Sequence, residues 1–196
     1  MEDSLITQLV CTRLSHDIIG NIGAVANAVE LLEEGDMDFI DDIKSILKTS
    51  SVNLSSRLKF FRMAFGLANS NLDDLNLVKE TAQNYLSTLG NKDFPIKLDF
   101  AVSNPAKRKT ALLMIMVLAD ILLRGGTLKV YESPQGLIAE TSTANRVSTD
   151  KLVRIQNVIQ SGTVEPDAGL APLIALMNAH KPALNVDDAF IRLMTE

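Results

Sequence analysis

The sequence predicts an α+β protein: an N-terminal antiparallel helical hairpin that forms a dimeric four-helix bundle, followed by a C-terminal α/β sandwich. Apolar residues recur at helical spacing through the first third of the chain. All six prolines lie within residues 72–196 and none within 1–68. The second part alternates helix-like and strand-like stretches, the order of a layered sheet with helices on one face. The domain boundary is expected between 68 and 72, in the small polar stretch Gly66-Leu67-Ala68-Asn69-Ser70-Asn71.

The first helix rests on a seam of Cys11, Leu14, Ile18, Ile22, Val25, Val29 and Leu32. These residues fall within about 40° of one line on a helical wheel, a heptad-like stripe expected to face the hairpin core. Glu33-Glu34-Gly35-Asp36 stops it, and Asp36 or Asp38 is the expected N-cap of the next helix. That second helix, about 38–65, repeats the pattern with Ile43, Leu47, Leu54, Leu58, Phe61 and Phe65. A short turn between long helices makes them antiparallel. One hairpin cannot bury two such stripes, and a symmetric second copy is the simplest cover.

Past the boundary, helices are expected over 72–89, over 105–123 with Pro105 in the first turn, and near 149–160 and 170–180. Strands are expected at 96–100, at 127–131 and 137–140 as a hairpin, and at 189–194.

With 46% apolar and 22% charged residues the chain has the composition of a folded protein rather than a disordered one. A net charge of −5 without clustered Lys and Arg argues against a nucleic-acid surface. A single cysteine, Cys11, excludes an internal disulfide framework and points to a reducing compartment. Met1-Glu2-Asp3-Ser4 lacks the basic start of a secretory signal, and the run from Ala111 to Leu123, broken by Asp120, is too short for a membrane span. A cytoplasmic protein with no membrane partner is expected.

His16 is the residue with the most chemistry to offer. It lies about 160° from the seam, on a face shared with Thr12, Gly20, Gly23 and Asn27. Gly20 and Gly23 each cost the helix about 1 kcal/mol relative to Ala, and they keep bulk off that face. A neutral imidazole is nucleophilic near neutral pH, and phosphoryl transfer needs positioning more than elaborate covalent machinery. Asp17 is placed to orient the ring or take its proton. Arg13, one turn back, is placed to meet a phosphoryl group or an acidic partner. Thr12, Gly20 and Gly23 complete the expected partner-binding face. Met114 and Met116 read as core, His180 as structural, and Lys107-Arg108-Lys109 as a solvated helix start.

Leu14-Ser15-His16-Asp17, followed by a hairpin, resembles the H-box of the dimerisation and histidine-phosphotransfer domain of sensor kinases. Residues 72–196 resemble the Bergerat-type ATP-binding domain of those kinases, with its site worn away. Gly125-Gly126-Thr127-Leu128-Lys129-Val130 looks like the segment after the family's N-box helix, but no Asn occurs between Asn104 and Asn145 to hold Mg-ATP. Ser142-Thr143-Ala144-Asn145-Arg146 stands where the family has its Asp-x-Gly-x-Gly motif. Gly169-Leu170-Ala171 looks like the tail of the Gly-rich phosphate loop, interrupted by Pro172. Together with Arg62-Met63-Ala64-Phe65-Gly66, this combination is similar to the ChpT-type histidine phosphotransferases of alphaproteobacterial cell-cycle phosphorelays. The resemblance implies a homodimer that uses no ATP and no cofactor of its own. It would carry a phosphoryl group on His16, with Asp17 as the acidic neighbour, from the receiver domain of a hybrid kinase to those of response regulators. Mg is expected on the receiver, not on this chain. Sensor kinases often have Thr or Asn four residues after the histidine; Gly20 stands there, without a side chain to position water. Two alternatives remain open from the residues themselves: a fragment of an ATP-dependent sensor histidine kinase, and a non-catalytic dimeric adaptor that binds receivers.

Overall fold

A computed structural model describes residues 3–35, 39–67, 71–163 and 167–196. Two long helices, α1 (Asp3–Glu33) and α2 (Ile40–Phe65), form the hairpin. Then follow α3 (Leu75–Ser87), β1 (Ile96–Ala101), α4 (Pro105–Ala119), β2 (Gly126–Ser133), β3 (Gly136–Ser142), α5 (Thr149–Ser161), α6 (Ala171–Ala179), β4 (Ala183–Val186) and β5 (Phe190–Thr195). The strands make one five-stranded sheet in the order β1-β2-β3-β5-β4. It is mixed: β1 and β2 are parallel, joined through α4, and the other pairs are antiparallel. The α+β expectation holds, with one element added. β4 is a short edge strand paired only to β5.

Local chemistry explains the element ends. Asp74 caps α3 by accepting from the Asn76 and Leu77 amides at 2.9 and 3.1 Å. Asn104 caps α4, with Pro105 in its first turn, and Ser148 caps α5. The cap expected of Asp36 or Asp38 lies outside the described residues; the N-cap of α2 is Phe39, whose side chain makes no capping bond. Gly125, at φ +63°, lets the chain turn into β2 where a Cβ would stand 2.7 Å from the Phe94 backbone.

The sheet buries one face. Leu128 and Val130, Ala139, and Ile191 and Leu193 alternate inward, while Lys129, Tyr131 and Arg192 lie on the other face. Against the inner face lies α4, buried on every side from Ala111 to Ala119. The core continues across the boundary to Leu9 of α1 and to Phe60, Phe61, Met63 and Ala64 of α2.

Two expectations are corrected. The seam of α1 does not line the hairpin interior. The inward face of α1 is instead the one that carries buried Arg13 and Ala28, with Asp17 and Ala24 half-buried, about 110° round the wheel from the seam. Small side chains at 24 and 28 let α2 approach closely, which leaves Ile22, Val29 and Leu32 of the seam exposed. Lys107-Arg108-Lys109 is no solvated start either. The Arg108 guanidinium is buried and donates to the carbonyls of Leu72, Asp73, Val102 and Ser103, while Lys109 donates to that of Gly66. Together they fasten the chain on either side of the boundary to the start of α4.

Candidate functional site

His16 stands midway along α1 with its side chain 87% exposed. It lies about 90° from the helix's inward face, not opposite a buried seam. Gly20 and Gly23 share its open side: a Cβ built at either would meet nothing within 4 Å. Thr12 is exposed one turn before, its hydroxyl donating to the Gln8 carbonyl at 2.8 Å. Ile19, 64% exposed, borders the same surface.

Beneath the ring the arrangement is rigid. Asp17 is only 12% exposed, and its Oδ1 lies 3.7 Å from His16 Nδ1. That distance is too long for a hydrogen bond but leaves this carboxylate as the nearest charged group to the ring. The other oxygen, Oδ2, accepts from Arg13 Nε at 2.8 Å. Arg13 then turns its two remaining nitrogens inward, away from any outside partner. Nη1 and Nη2 donate to the Asp120 carboxylate at 2.7 and 2.9 Å, a two-pronged pair at the C-terminal end of α4. Burial works against the Arg13 charge, but the hydrogen bonds and negative charge of Asp120 outweigh it and hold the guanidinium protonated above its ordinary range.

Arg57 of α2 pins the same segment from its backbone. It donates to the Asp17 carbonyl at 2.9 Å, and to the hydroxyl and carbonyl of Thr88, at the end of α3, at 3.1 and 3.3 Å. Below lies Tyr85, fully buried and stacked on Phe60 at 4.0 Å between ring centroids. Burial and the nearby Asp120 charge push its phenol up, and among the described residues its hydroxyl is the only buried side-chain polar atom without a hydrogen-bond partner.

Next to this cluster is a cavity of about 140 Å³ lined by Arg13, Val117, Asp120, Lys151, Arg154 and Gly169, among others. It is smaller than the roughly 300–1,000 Å³ typical of ligand pockets. Its charged side chains are engaged within the fold: Lys151 donates to the Asp120 carbonyl at 2.9 Å, and Arg154 pairs with Asp167 at 2.7 Å.

Sequence reasoning named His16, Asp17, Arg13, Thr12, Gly20 and Gly23; the structure groups them on one stretch of α1. It missed Asp120, Arg57 and Tyr85. Asp120 did carry a signal, as the lone charge between Lys109 and Arg124 in an otherwise apolar run. His180 is half-buried at the end of α6 and bonds Thr110 at 2.9 Å, far in sequence from this cluster.

No family model matches the chain. It is 38% identical over 125 residues to the protein phosphotransferase ChpT of Brucella abortus (strain 2308), a match covering 62% of this chain. The chain spans 58% of the length of that relative. A solved structure described as a bacterial phosphotransferase superposes with a TM-score of 0.74, at 24% identity, over 100% of this chain and 98% of the other. The fold is therefore shared with that structure, and over the matched stretch the chain is similar in sequence to the ChpT phosphotransferase. Among the described residues, no helix is long and apolar enough to cross a membrane.

Proposed function

Proceeding from that similarity, we propose that the chain is a phosphorelay histidine phosphotransferase, carrying a phosphoryl group on His16 between receiver domains of a hybrid kinase and of response regulators. The observation that carries this reading is one exposed imidazole on an open, glycine-lined helix face, above a carboxylate held in place from within the fold. Thr12, Gly20 and Gly23 form the docking face. Arg13 serves from inside.

Transfer needs few protein groups. With Nδ1 turned to Asp17, Nε2 is the nitrogen left to attack phosphorus on the receiver's acyl phosphate. The N–P bond forms as the P–O bond to the receiver carboxylate breaks, and that carboxylate leaves with the electron pair. The ring becomes cationic with its proton on Nδ1, facing the Asp17 charge. In the onward step an acceptor carboxylate attacks phosphorus, and the bonding pair returns to Nε2. The Mg2+ that this exchange calls for belongs to the receiver.

ATP has no part in this reading. The cavity beside Gly169-Leu170 is small, with Arg154 paired to Asp167 and Lys151 held by the Asp120 carbonyl, and no Asn stands between Asn104 and Asn145 to hold Mg-ATP. The exposed apolar seam of α1 supports a homodimer in which a second hairpin completes a four-helix bundle. The test is incubation with a phosphorylated receiver: the wild-type chain becomes labelled and His16→Ala does not. Labelling of His16→Ala would sink the assignment. Rapid His16-dependent labelling by ATP alone would make the chain a kinase, and receiver binding without phosphohistidine would make it an adaptor.

A further inference from the structure

We infer that Asp120, at the end of α4, is a positioning residue for phosphoryl transfer at His16, acting through Arg13 and Asp17. The inference rests on the proposed role of His16. It extends the site from one helix of the hairpin into the sheet-bearing half of the molecule.

The geometry is a continuous chain of charge. Asp120 takes both terminal nitrogens of Arg13 at 2.7 and 2.9 Å. This leaves Nε as the Arg13 donor for Asp17, at 2.8 Å to Oδ2. With Oδ2 engaged, Oδ1 is the oxygen turned to His16. Among the described residues the ring has no other polar partner within ion-pair distance, so the orientation of Asp17 sets the fold's influence on the imidazole. A guanidinium is planar, and gripping one edge fixes the direction in which its Nε–H points. Asp120 therefore aims Asp17.

Stability alone is a poor reason for this arrangement. Buried ion pairs give little net stabilisation compared with apolar residues of the same volume. Asp120 interrupts a helix end otherwise surrounded by Met116, Val117, Leu118 and Ile121, any of which shows the local preference for apolar side chains. Its carbonyl also receives Lys151 at 2.9 Å, which ties α5 to the same point.

The test compares full-length wild type, Asp120→Asn, Asp17→Asn and the double variant, with folding checked by circular dichroism and melting. His16 labelling is followed from a phosphorylated receiver at varied concentration, and from phosphoramidate, a small donor that needs no docking. Asp120→Asn is expected to lower the maximal rate on the order of ten-fold with both donors and to leave KM for the receiver unchanged. The double variant should be no slower than Asp17→Asn, because both substitutions cut one chain. Wild-type rates in folded Asp120→Asn, or losses that multiply in the double variant, overturn the inference. Asp120→Glu, which keeps the carboxylate, should recover part of the rate. Where Asp120→Asn does not fold, Arg13→Lys keeps the buried charge without the fork, and unchanged rates there overturn the inference equally. A wild-type chain that reacts with phosphoramidate but takes nothing from a receiver refutes the phosphorelay reading, while the phosphoramidate rates still decide the role of Asp120.

Discussion

The two ends of the hairpin are built to different rules. At the end near the sheet, Leu9 of α1 and Phe60, Phe61, Met63 and Ala64 of α2 sink into the common core, with Tyr85 stacked on Phe60. At the far end Ala28, Ile43 and Ser50 are buried, while Ile22, Val29, Leu32, Phe39, Ile46 and Val52 stay exposed. One end is finished within a single chain. The other leaves a row of large apolar side chains exposed to water, the pattern of an element awaiting a partner. His16 and Asp17 stand between them, fastened on the finished side by Arg13 and Arg57. The position proposed to carry the phosphoryl group thus borrows rigidity from one end, and the other end offers the surface for the proposed assembly.

Substitutions separate the two ends. The largest effect is expected from Phe60→Ala, which empties a fully buried aromatic site: a loss of about 3–5 kcal/mol, read by denaturant titration. A loss below about 1 kcal/mol would show that the hairpin does not depend on the sheet half. On the far side, Ile22→Asp with Val29→Asp is expected to halve the mass seen by sedimentation equilibrium and to remove the concentration dependence of melting, with helix content kept. An unchanged mass would place the dimer contact elsewhere or nowhere.

Gly20→Ala probes the face between the ends. Its new Cβ meets nothing within the chain, so stability should rise by about 1 kcal/mol while receiver-dependent labelling slows. Faster or unchanged labelling would remove Gly20 from the proposed docking face. Tyr85→Phe should have the smallest effect, a gain of roughly 1 kcal/mol from deleting an unpartnered buried hydroxyl. A clear loss in melting temperature would mean that the hydroxyl has a role the packing does not reveal.

Much of this was legible in local pattern. The helices and strands of the second half fall where caps, Pro105 and the alternation at 127–131 put them, within a few residues. β4 escaped notice because it spans only Ala183–Val186 and, as an edge strand, buries no regular face. The period of α1 was also read correctly, yet its direction was not. A helical wheel shows which residues lie together, but not which of two possible faces turns toward α2. Here the small side chains at 24 and 28 decide the close contact, and the larger seam is left for an outer one.

The sequence by itself determined the hairpin, the order of elements in the sheet half, the exposure of His16 and the open glycine face beside it. Each depends on spacing along a few turns of chain, which local sequence records directly. Only the tertiary structure decided what lies beneath the histidine. Arg13 looked like a solvent-facing contact until Asp120, 107 residues away, took its guanidinium, and Arg57 reached the Asp17 carbonyl from another helix. A charge pair across such a distance leaves no periodic trace. It exists because the packing of α1 on the sheet half brings a buried guanidinium and a half-buried carboxylate together, where each makes the burial of the other tolerable.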